Sequence, residues 1–81
     1  MKIHEFTLIL KSRPSEAKTE RLYGICQDAT LAVHAGTGQV HFHRAAKSLE
    51  NALRSALADV REAGLTVQRV EMAPDALLLQ A

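Results

Sequence analysis

The sequence predicts an α+β fold, a ferredoxin-like β-α-β-β-α-β sandwich in which a four-stranded antiparallel sheet carries two helices on one face. Three observations carry this prediction. The hydrophobic period switches between two and about 3.6 residues in that order along the chain. Glycine and proline stand at or near the switches, at Pro14, Gly36, Gly38, Gly64 and Pro74. Ser15 and Ser48 each precede a helix-like segment, where a hydroxyl can accept from a free backbone N–H.

Taken in order, Phe6, Leu8 and Leu10 alternate with Glu5, Thr7 and Ile9, so residues 3 to 10 read as a strand with one strongly apolar face. Pro14 and Ser15 then open a helix with Glu16 and Glu20 in its early turns, running to about Cys26 with Leu22, Ile25 and Cys26 on one side. Gly24 weakens that helix by roughly 1 kcal/mol relative to alanine, so its last turn is expected to fray. Residues 29 to 34 and 39 to 44 alternate around Ala35-Gly36-Thr37-Gly38 and read as a hairpin. The second helix starts after Ser48, with Leu49, Leu53, Leu57 and Val60 at helical spacing and Ala52, Ala56 and Ala63 completing the apolar face. Gly64 ends it. Leu65 to Met72 reads as the last strand, which Pro74 stops. The domain is thus placed at 1–74, and residues 75–81 form an apolar tail containing Leu77, Leu78 and Leu79.

Composition narrows the role. A chain of 81 residues has room for one domain, buries only about 60–65% of its unfolded surface, and gains from association. With 47% hydrophobic but only 4% aromatic residues, the core must be built from Leu, Val, Ile and Ala packed closely. Ten Lys and Arg against nine Asp and Glu leave no basic surface for direct nucleic-acid binding. No apolar run approaches a signal peptide or a membrane span, so a cytoplasmic protein with no membrane partner is expected. The single Cys26, on the apolar side of the first helix, reads as an inert buried thiol.

The histidines invite a chemical hypothesis, because His34, His41 and His43 lie in the hairpin. If Thr37-Gly38 is the turn, His34 faces His41 with His43 nearby, and the three could hold zinc, nickel or copper. If Ala35-Gly36 is the turn, His34 pairs with Thr37 and His41 with Thr30, and the cluster dissolves. Both registers keep Leu31, Val33, Val40 and Phe42 on the core face, so polarity leaves them open. Arg13, in the loop after the first strand, asks whether a phosphate could bind. That loop lacks glycine, and Pro14 removes a backbone donor. No acid, base or nucleophile pair stands at catalytic spacing, so a non-enzymatic role without a cofactor is expected.

The stretches Glu5 to Leu10, Cys26 to Leu31, Phe42 to Ala46, Ser48 to Leu53 and Val70 to Pro74 resemble a bacterial family of small uncharacterised ferredoxin-like proteins. Its members carry E-F-T-L-I-L, C-D-D-A-T-L, F-D-R-E-A, S-L-E-E-A and V-x-P in the same order. Many continue into a helix-turn-helix, so the resemblance implies a DNA-associated regulator or antitoxin-like protein. The reading helices would start near Asp75, Ala76 and Leu77, and the sequence runs only to Ala81, so such a role would act through a partner. His43 stands where the family has aspartate.

The leading expectation is a self-associating module, a homodimer or larger, serving as the assembly or sensing part of a regulatory system. Its contact surface is expected on the sheet face without helices, at Glu5, Thr7, Ile9, His41 and His43, with Leu77, Leu78 and Leu79 as an accessory strip. The alternatives are a metal-binding protein using His34, His41 and His43, and the DNA-associated regulator.

Overall fold

The computed structural model describes residues 1–73. The elements are β1 (Lys2–Leu10), α1 (Glu16–Ile25), β2 (Ala29–His34), β3 (Thr37–Ala46), α2 (Leu49–Glu62) and β4 (Val67–Glu71). They form one antiparallel sheet in the order β2-β3-β1-β4, the ferredoxin-like arrangement, with both helices packed on one face. No described helix is long and apolar enough to cross a membrane.

Both helices begin where their serines stand. Ser15 Oγ accepts from Lys18 N–H at 3.2 Å and Ser48 Oγ from Asn51 N–H at 3.1 Å. The first helix stops at Ile25, with Cys26 in extended conformation as its C-cap. The second ends at Gly64, whose φ of +88° is the left-handed position that glycine takes most readily. On α2 the alanines, not the leucines, hold the centre of the buried face. Ala52, Ala56, Val60 and Ala63 are sealed from solvent, whereas Leu49, Leu53 and Leu57 flank them half-buried. Small side chains bring the helix close to the sheet, where the large groups are Phe6 and Phe42, stacked with ring centroids 5.5 Å apart. The last strand is shorter than the pattern implied, five residues from Val67 to Glu71.

The hairpin settles the open register. Ala35 and Gly36 form the turn, with φ of 52° and 78°, and His34 pairs with Thr37 while Thr30 pairs with His41. Placing a residue with a Cβ in that region costs roughly 1–2 kcal/mol, which makes Ala35 an unfavoured turn residue. Gly38 explains why this turn forms anyway. A Cβ on Gly38 would lie 2.8 Å from Pro14 Cδ and 2.9 Å from Leu10 Cδ1, so this glycine serves close packing inside the strand rather than the turn.

Candidate functional site

Strand alternation fixes two chemically different faces. On β3, Val40, Phe42 and Arg44 point toward the helices, and Gln39, His41 and His43 point away from them. Opposite them on β1, Glu5 pairs with His43 and Thr7 with His41.

On the helix-free face these four side chains make one cluster. Glu5 Oε1 lies 3.1 Å from His43 Nδ1 and 3.7 Å from His41 Nε2. Thr7 Oγ1 and His41 Nδ1 are hydrogen-bonded at 2.9 Å, and the two imidazoles meet edge to face with centroids 4.7 Å apart. One ligand atom each from Glu5, His41 and His43 falls within 4.8 Å of the others. His34 is not part of it. It lies opposite Thr37, four residues along β3 from His41, which is about 13 Å at 3.3 Å per residue. The three hairpin histidines are therefore not brought together, because the Ala35-Gly36 turn separates them, and Glu5 takes the place expected for His34. Ile9 is also not where a contact residue must be. It belongs to the helix-free face by alternation, yet it is only 2% exposed between its cross-strand neighbours Gln39 and Arg69. Leu77, Leu78 and Leu79 lie outside the described residues.

On the covered side, Arg44 is a charge in phase with the core residues Val40 and Phe42. Its guanidinium donates to both carboxylate oxygens of Asp28, at 2.8 and 2.9 Å, and to Ser55 Oγ at 3.1 Å. It also pairs with Asp59 at 2.9 Å, and its carbon sits 4.9 Å from the Phe42 ring centre. The hydrogen bonds from Arg44 hold the Asp28 carboxyl below the usual range. Cys26 closes the network, donating to Asp59 Oδ2 at 3.5 Å, and burial pushes its thiol up to about 11. A thiol so shifted is protonated at neutral pH and a poor nucleophile. His4, cross-strand from Arg44, is buried too. Its Nε2–H donates to the Ala46 carbonyl at 3.2 Å, and its Nδ1 has no partner among the described residues.

The loop with Arg13 borders a cavity of about 290 Å³, with Lys11 and Lys18 also on its walls. Part of the backbone there is already committed. Lys11 N–H donates to Thr66 O at 3.0 Å, Lys18 N–H to Ser15 Oγ, and Pro14 has no N–H to offer.

The chain matches no family model, no curated protein and no solved structure.

Proposed function

We propose that this chain is a non-enzymatic, self-associating module, the assembly or sensing part of a regulatory system, that pairs with a second copy of itself through the helix-free sheet face. The observation that supports this most is the distribution of charge on that face. Glu5 stands on β1 across from His41 and His43 on β3, and on β4 Glu71 is already paired with Arg69 at 2.9 Å. A two-fold axis parallel to the strands would lay β3 of one copy over β1 of the other, and β2 over β4. His43 of each copy then meets Glu5 of its partner, the self-complementarity that an isologous interface requires, while Thr30 rather than His34 lies level with Glu71. Ile3, exposed on the same face, adds an apolar anchor. Pairing through the outer edge of β2 is disfavoured, because Tyr23 OH accepts from the Leu31 N–H at 2.8 Å and occupies that edge. A lone buried cysteine and the lack of a membrane-spanning helix among the described residues support a cytoplasmic location. The regulatory setting rests on the family resemblance, as does the reading of a DNA-associated regulator acting through a partner.

The test is the solution mass of the full chain with chelator present, measured over a wide concentration range, beside the variant Ile3→Glu. A dimer or larger species is expected, and the variant should weaken association by about tenfold or more, equal to ~1.4 kcal/mol. A monomer at every concentration would sink the reading.

A further inference from the structure

We infer that Glu5, His41 and His43 form a binding site for one divalent transition-metal ion of the zinc, nickel or copper class. Four observations lead there. The donor set is two imidazole nitrogens and one carboxylate oxygen, the chemistry these ions prefer over magnesium or calcium, which take oxygen. The spacing is that of ligands around a single ion. Around a tetrahedral ion with bonds of about 2.0 Å, ligand atoms stand about 3.3 Å apart, and here Oε1 of Glu5 is 3.1 and 3.7 Å from the two nitrogens. All three atoms fit within 4.8 Å, so closing the set onto one ion takes up to about 1.5 Å of side-chain movement, shared between groups exposed enough to rotate.

The third observation is the partner behind the ligand. Thr7 Oγ1 bonds His41 Nδ1 at 2.9 Å, so Nδ1–H can donate to the hydroxyl and Nε2 is left with its lone pair toward Glu5. An oriented imidazole whose second nitrogen is hydrogen-bonded is the usual arrangement of a metal-ligating histidine. The fourth is support from the backbone. Glu5 and Thr7 on β1 face His43 and His41 on β3, the two central strands of the sheet, so the ligands project from paired and fixed main chain. Three protein ligands leave at least one position open to water or to a further ligand, as in an exchangeable rather than a closed structural site.

This inference does not rest on self-association, and zinc uptake by a monomer supports it as fully as uptake by a dimer. The experiment is calorimetric titration of the chelator-treated full chain with zinc chloride, repeated with cobalt chloride read by visible absorption. One ion per chain is expected, with a cobalt spectrum of low-symmetry coordination. His43→Ala and Glu5→Gln should each weaken zinc binding at least tenfold, and His34→Ala should leave it unchanged. Thr7→Val, which touches no ligand atom, should weaken it by about ten- to a hundredfold. Circular dichroism melting shows that each variant is folded. The inference is overturned if the wild-type chain takes up no zinc or cobalt, if His43→Ala and Glu5→Gln bind as the wild type does, or if His34→Ala loses binding as they do.

Discussion

Two polar clusters stand on opposite sides of the same strand, and they differ in how far the fold itself satisfies them. Arg44 is enclosed, 12% exposed at its side chain, and every strong donor direction meets a partner in Asp28, Ser55 or Asp59. His41 and His43, one to three residues earlier on β3, are half open to solvent and, among the described residues, their side chains find polar partners on β1 alone and otherwise touch each other. A cluster that satisfies itself inside the fold has nothing left for a ligand and acts as structure. A cluster with donor atoms facing solvent is available for chemistry.

Substitution at Arg44 gives the largest expected effect. Arg44→Ala leaves two carboxylates beside Phe42 and Cys26 without their counter-charge. Removing one member of a fully buried pair costs about 3–5 kcal/mol, and because Asp28 and Asp59 keep about 30% side-chain exposure the expected loss is about 2–3 kcal/mol. Urea unfolding measures it. Glu5→Gln and His43→Ala, in chelator, should stay within about 0.5 kcal/mol of wild type. Equal losses on the two faces would break the contrast.

Alkaline pH sharpens the same contrast with a smaller effect. Cys26 carries a folded-state pKa of about 11 against 9.0 when unperturbed, because burial disfavours the thiolate. The folded chain therefore holds that proton more tightly than the unfolded chain. Its contribution to stability is fully present below pH 9 and is lost as pH rises toward 11, by on the order of 1–2 kcal/mol. Asp28 works in the opposite direction, its lowered pKa giving stability that is present above about pH 4 and lost on acidification through the folded value. Comparing stability against pH for wild type and Cys26→Ala isolates the thiol. The variant curve should lack the fall above pH 9, and identical slopes would mean that Cys26 titrates freely.

The faces were legible in the sequence to different depths. Element order, both serine caps and the Gly64 stop follow from local chemistry, and the structure shows them where local rules put them. The hairpin register did not follow, since both turns keep the same residues on the core face. What decides it is non-local, the contact of Gly38 with Pro14 and Leu10. That register removes His34 from the histidine group, and pairing of β1 with β3 brings in Glu5, a residue far away in sequence. Ile9 shows the same limit, because alternation gives its side of the sheet but not the cover from neighbouring strands. Arg44 carries a signal of its own in the sequence. It stands in phase with Val40 and Phe42, and a charge at a core-phase position calls for partners such as Asp28 and Asp59.

The smallest expected effect lies at the border between the faces, where Tyr23 OH covers the Leu31 N–H on the outer edge of β2. Tyr23→Phe keeps the ring and removes the acceptor, and the released N–H turns to water, so the loss of stability should be only about 0.5–1 kcal/mol. Its consequence for assembly is more informative. An edge strand with a free donor row is a template for another strand, and β2 also exposes Val33 beside it. The variant should therefore form additional, larger species at high concentration beside the proposed face-to-face pair. The mass distribution of Tyr23→Phe and of the double variant Ile3→Glu with Tyr23→Phe reads this directly. If the double variant loses all association, the edge contributes nothing and the helix-free face alone carries self-recognition. If it keeps forming large species, edge pairing is a second route that Tyr23 holds closed in the native chain.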